Sequence, residues 1–144
     1  MYDSVIPSAL PANEVVATYA AGGWAVSPSQ VTGHKSVVWI DTTGYDYNAS
    51  ALDIEPTDAT PAMAGAWAWH RLHAYPHAIA RLYTMQSEWP AVQAEVAKLP
   101  ASMRSRVRYW IADPTGVPHL VPGSDATQWY WGPKYDISTV TPRF

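Results

Sequence analysis

In ALDIEPTDATP, residues 51–61, two carboxylates, Asp53 and Glu55, stand two positions apart in an apolar run. In a β-strand, side chains i and i+2 project from the same face. The two would share one cleft, with Cβ atoms about 6.5–7 Å apart by strand rise. Two carboxylates that close cannot both ionise freely. One pKa is pushed up, and that group can then donate a proton near neutral pH. Glycoside hydrolysis uses such a pair, with an acid on the leaving oxygen and a second carboxylate beside it. The bland alternative is a strand whose polar end, Glu55 before Pro56, runs out into solvent.

Further carboxylates fall at or near the ends of other β-rich runs: Asp3, Asp41 after VVWI, Asp113 after YWIA, and Asp136. In parallel α/β folds the carboxyl ends of the strands form the active face. Asp58 reads as support for the start of the next helix. Other candidate chemistries are weaker. His70 and His73 have helical i, i+3 spacing, but Pro76 breaks the helix before His77. They read as solvated helix-end histidines rather than metal ligands, and no metal is expected. Arg104, Arg106 and Arg108 read as a solvated loop entering a strand. The stretch from Gly22 to Pro28 has no phosphate-loop pattern and reads as a turn that exposes Trp24 at a cleft edge. Ser4 and Ser138 have no histidine in motif context, which argues against a serine-hydrolase triad.

Strands are expected at Tyr2–Ile6, Val15–Ala20, Ser36–Asp41, Ser50–Ile54, Ile79–Tyr83, Val107–Ala112, Asp125–Trp129 and Tyr135–Val140. Several are apolar at successive positions, as strands buried on both faces are. Thr60 followed by Pro61 signals a helix start. That helix should place Met63, Trp67 and Leu72 on one face and stop before Pro76. A second helix should run from Ser87 to about Leu99, with Val92, Val96 and Leu99 inward. The middle of the chain therefore reads as strand–helix–strand–helix–strand, the signature of parallel α/β architecture.

The 144 residues suit one domain, residues 1–144, and 48% hydrophobic with 15% charged residues is enough apolar material for a core. A net charge of −3 gives no electrostatic case for nucleic acid or an anionic membrane. The chain has no cysteine, which excludes disulfides and thiolate metal sites. MYDSVIPSAL lacks the basic start and apolar core of a signal peptide, so the expectation is cytoplasmic synthesis without a leader. Against 8 Trp and 9 Tyr there is 1 Phe, so most rings carry a polar edge. That suits a wet, sugar-stacking groove and a Trp-rich core equally.

LDIEP, residues 52–56, resembles the LDVE strand of glycoside hydrolase family 25, the lysozyme-like muramidases. Other segments resemble that family's motifs in the same order: YDS at 2–4, RLYTMQSEW at 81–89, YWIAD at 109–113, ATQWYW at 126–131 and YDISTVTPRF at 135–144. Each motif is short, but together they span Tyr2 to Phe144. The pattern MYDS…VVATY…LDIEP…DATP is also similar to small glycoside-hydrolase-like proteins of actinobacteria and their phages. The resemblance implies Glu55 as general acid and Asp53 as its strand partner. Asp3 and Asp136 would sit on first and last strands that meet when a barrel closes. It also implies Tyr83, Trp110, Gln128 and Tyr130 as cleft-lining, substrate-binding residues; Trp24, exposed in its turn, is a further binding candidate at the cleft edge. Strand alternation points Tyr130 the same way as Gln128. The alternative for these rings is packing of the barrel.

The implied fold is a compact, helix-depleted, TIM-like (β/α) barrel. Eight units in this chain leave about 18 residues each, too few for a full strand, helix and two loops. Several helices must be reduced to turns, or the barrel is incomplete. A stripped exterior favours a homo-oligomer. The expected function is hydrolysis of a peptidoglycan-type glycan without a cofactor. The rival is a non-catalytic barrel that binds glycan or serves a phage as a structural or host-interaction protein.

Overall fold

The computed structural model describes residues 1–144. Its strands are β1 (Tyr2–Asp3), β2 (Val15–Ala21), β3 (Ser36–Asp41), β4 (Ala51–Ile54), β5 (Ala80–Met85), β6 (Val107–Ala112), β7 (Ala126–Tyr130) and β8 (Asp136–Val140). They close into one barrel in chain order. Neighbours from β1 to β7 are parallel, whereas β8 is antiparallel to both β7 and β1. The connection between β7 and β8 is residues 131–135, too short for a parallel crossover, so the chain must turn back as a hairpin. Closure removes every free sheet edge and excludes the incomplete barrel.

The strands lie close to their expected places, except that β1 is shorter. Ser4 Oγ accepts the Ile6 N–H at 2.9 Å and donates to the Lys134 carbonyl at 2.7 Å, which turns the chain out of the sheet after Asp3.

Alternation along the strands builds two apolar layers. Ala17, Val38, Ile40, Ala51, Tyr83, Trp110, Ala112 and Ala126 form the inner cluster. Leu52, Ile54 and Leu82 face outward and pack with Trp67, Leu72, Val92 and Val96 of the covering helices. All of β4 is buried, which is why its sequence is apolar on both faces apart from Asp53. Burying each of Leu52, Ile54 and Leu82 contributes about 1.5–3 kcal/mol.

The helices are α1 (Ala64–Ala74), entered through a 3-10 turn at Pro61–Met63, α2 (Trp89–Ala97) and the short α3 (Ala101–Arg104). Thr60 holds the extended cap conformation, but its side chain makes no capping hydrogen bond. Pro90 is tolerated in the first turn of α2 because the amide it lacks has no intrahelical partner there. The α1–α2 crossing is close at Gly65, where a Cβ would meet the Glu95 carbonyl oxygen at 2.9 Å. Over β1–β3, 3-10 turns at Pro7–Ala9 and Pro28–Val31 replace helices, and Leu10, Val16 and Val31 make a small separate cluster.

The arginine run is not a solvated loop. It spans α3 and β6 and ties down carbonyls. Arg104 Nη1 donates to Leu99 O at 2.6 Å, Arg106 Nη1 to Pro76 O at 2.6 Å and Arg108 Nε to Arg143 O at 2.8 Å. No helix is long and apolar enough to cross a membrane.

Candidate active site

One mouth of the barrel holds an open cavity of about 190 Å³, lined by Asp3, Tyr19, Ile40, Asp53, Glu55, Tyr83, Trp110, Gln128, Trp131 and Asp136. Each acidic side chain has a positional cause. Asp53 shares the inward face of β4 with Ala51, and Glu55 follows directly after the strand end. Asp3 and Asp136 are register partners across the antiparallel β1–β8 pair. Glu55 opens a turn closed by the Asp58 N–H donating to Glu55 O at 3.0 Å. Thr57 in that turn has φ of 81°, a left-handed conformation that costs a β-branched residue of order 1–3 kcal/mol.

That turn corrects the expectation for Asp58. Its carboxylate accepts no hydrogen bond from the helix start. Instead, oxygens of Asp53, Glu55 and Asp58 all lie within 4.8 Å of one another. Three hard oxygen donors of this kind suit magnesium or calcium better than zinc or copper.

The carboxylates disfavour one another's charge. Burial, then the charge of Asp136, pushes Asp3 up to about 7, against a hydrogen bond from Gln128 and the attraction of the N-terminal amine. Asp53 is held well above the usual carboxylate range by burial first, then by Glu55, Asp58 and Asp3. Glu55 is raised by burial, a shift partly opposed by a hydrogen bond from Tyr83 and reinforced by Asp58 and Asp136. Asp136 is raised by burial and partly restored by the Gly132 N–H, which donates to Asp136 Oδ1 at 2.8 Å. Asp3 Oδ1 and Asp53 Oδ1 are buried and accept no hydrogen bond from the protein. All four carboxyl groups are therefore shifted towards their protonated form.

Gln128 organises the floor. Its Nε2 donates to Asp3 Oδ2 at 2.8 Å and to Asp136 Oδ2 at 3.5 Å. Its Oε1 accepts from Tyr83 OH at 2.8 Å and Trp131 Nε1 at 2.6 Å. All four valences of the amide are thus occupied within the protein. Gln128 lines the cavity as expected, but it holds the aspartates in place and has no donor or acceptor left for a substrate. The Tyr83 hydroxyl donates to Gln128 Oε1 and also holds down the rise of Glu55. Trp110 is buried, with Nε1 donating to Ser138 Oγ at 3.0 Å and its ring edge-on to Tyr83 at 4.9 Å. This ring both packs the barrel interior and forms part of the cavity lining.

Two expected lining residues lie elsewhere. Tyr130 is turned out because β7 carries a bulge between Gln128 and Tyr130. The extra residue reverses the alternation beyond it and brings Trp131 inward in its place. Trp24 is 58% exposed in the turn that begins at Gly22 and lines no cavity. Tyr19 and Ile40, which sequence reasoning passed over, are register partners on β2 and β3 that enter the cavity by simple alternation from Ala17 and Val38.

The remaining polar candidates do structural work. Asp41 accepts from the Thr43 N–H at 2.7 Å, the Asp46 N–H at 2.9 Å and Trp67 Nε1 at 3.1 Å, fixing the loop under α1. Asp113 pairs with His119 at 3.0 Å. His70 stacks on Tyr47 at 4.6 Å and His73 on Trp69 at 4.9 Å, outside the cavity.

The site and fold thus define an eight-stranded, helix-poor barrel with a carboxylate-lined mouth. No known protein-family model, curated protein or solved structure matches the chain.

Proposed function

We propose that the protein is a minimal TIM-type barrel glycosidase, similar to family 25, acting on a peptidoglycan-type or related N-acetylated glycan. One observation carries the reading. Asp53 and Glu55 bring carboxylate oxygens within 4.8 Å of each other in an open, aromatic-lined cavity at the strand ends. Glu55, at the rim with a raised pKa, protonates the leaving glycosidic oxygen. A neighbouring carboxylate, Asp53, Asp3 or Asp136, stabilises the positive charge that develops on the sugar ring, or positions water or an acetamido group. Tyr83 partly opposes the rise of Glu55, and the protein's own groups supply all of this chemistry.

Reducing-end release from purified cell wall tests the reading. Wild type should release sugar, and Glu55→Gln should be slower by about 100-fold or more. Equal background rates for both would refute it.

A second reading, a barrel that binds glycan without cutting it and serves a phage or actinobacterial cell as an interaction module, is favoured by the size of the cavity. At about 190 Å³ it is smaller than the ~300–1,000 Å³ of typical small-molecule sites. Saturable binding of chitooligosaccharides with no product would support that alternative.

A further inference from the structure

The residue that the bulge expels, Tyr130, does not simply face solvent. With Pro133, Lys134, Tyr135 and Ile137 it lines a groove of about 290 Å³ along the β7–β8 connection. This groove shares no residue with the carboxylate cavity. The two are joined by a third depression of about 140 Å³. That depression shares Pro133, Lys134 and Tyr135 with the groove, and Asp3, Tyr19 and Asp136 with the carboxylate cavity. Through these shared residues the depression adjoins both the groove and the carboxylate cavity.

We propose that the Tyr130–Tyr135 groove is a distal subsite that holds a pyranose ring of the same glycan chain whose scissile bond lies at Glu55. This rests on the glycosidase reading above and extends it from a single-sugar pocket to a chain-binding track. The carboxylate cavity alone is too small to bury much of a glycan, so affinity must come from the surface that continues it. The groove has the chemistry for a sugar. Tyrosine rings offer apolar faces to C–H groups and hydroxyls to sugar oxygens. Lys134 enters none of the chain's ion pairs, so its ammonium is free to donate to hydroxyl or acetamido oxygens.

The groove is also preformed, which lowers the entropic cost of binding. Tyr2 meets the Tyr135 ring edge-on at 5.3 Å. Ser4 Oγ holds the Lys134 carbonyl at 2.7 Å. At Gly132 a Cβ would lie 2.4 Å from Tyr135 O and 2.7 Å from Tyr130 Cε1, so only glycine lets the Tyr130 ring lie against this turn. The same glycine donates its N–H to Asp136 at 2.8 Å, which couples the groove's floor to the acidic cluster.

The test is calorimetric titration of chitobiose and chitohexaose in a Glu55→Gln background, which keeps the sugars uncut, with and without Tyr130→Ala. Tyr130 is partly exposed, so its truncation leaves the core intact, and circular dichroism checks that. The expected result is that chitohexaose binds more tightly than chitobiose. Tyr130→Ala should weaken chitohexaose about three- to tenfold and leave chitobiose unchanged, and Tyr130→Phe should retain affinity. Chitobiose binding with no effect of Tyr130→Ala on chitohexaose would overturn the subsite while leaving the glycosidase reading intact. An equal loss for both sugars would overturn it too, by making the groove an independent site. Absence of binding by either oligosaccharide would overturn the subsite together with the glycan reading.

Discussion

At the scale of the residue, the site is a set of carboxyl groups crowded beyond what can ionise together, held by one amide. Asp3 gives this a measurable consequence. Burial and the charge of Asp136 push its folded pKa up to about 7, from 3.8 for a free aspartate. A carboxyl raised in the folded state stabilises the fold when protonated. That contribution is complete below about pH 4 and is lost as pH rises through about 7, because the native state then gives up a proton that the unfolded state had already lost. Asp53, Glu55 and Asp136 are shifted in the same direction, so wild-type stability should fall across this window. Asp3→Asn keeps an acceptor for Gln128 without the charge. Thermal unfolding should show the variant more stable than wild type at pH 8, on the order of 1–3 kcal/mol, with a shallower pH slope. Identical slopes would count against the electrostatic account. Residue types were the most legible part of the site, since Asp53 and Glu55 announce themselves by spacing. Asp58 was not, because nothing in EPTD signals that Thr57 adopts a left-handed backbone and turns the Asp58 carboxylate back towards Glu55.

At the scale of the element, β-strand alternation explains most of what lines the cavity, and one bulge explains the principal exception. Tyr130 and Trp131 exchange faces because β7 accommodates one extra residue against β8. No residue in ATQWYW marks that position, so the exchange is a property of the pairing and could not be read from the strand alone. Helices were legible through Pro61, Pro76, Pro90 and Pro100, which bound them. The short α3 within the arginine-rich stretch was not, since a basic run has no periodicity of its own. The α1–α2 contact gives a test at this scale. Gly65→Ala would gain up to about 1 kcal/mol of helix propensity but drives a methyl towards the rigid Glu95 carbonyl at 2.9 Å. Overpacking of that kind costs about 1–3 kcal/mol. Denaturant titration should therefore show net destabilisation, and a more stable variant would mean that the helices separate freely.

At the scale of the whole molecule, eight strands close a barrel in 144 residues because helices are kept only where β4–β6 need cover. Elsewhere 3-10 turns and a hairpin suffice. Eight units in 144 residues imply stripped helices but leave closure undecided. Closure follows from the Asp3–Asp136 register, a long-range pairing that no local window contains. The same closure brings the first and last strands to the mouth where Asp53 and Glu55 emerge, so the fold's economy and the site's geometry have one cause. Within this ring of carboxylates, Glu55 is the proposed proton donor. The most direct measurement counts new reducing ends released from a defined N-acetylated oligosaccharide across pH, for wild type and Glu55→Gln side by side. Because burial raises Glu55, the wild-type rate should persist above the usual carboxylate range and fall as pH rises through the Glu55 pKa. Glu55→Gln should be slower by about 100-fold or more at every pH and should lack that alkaline fall. Cleavage by the variant at the wild-type rate, with the same pH profile, would contradict the account.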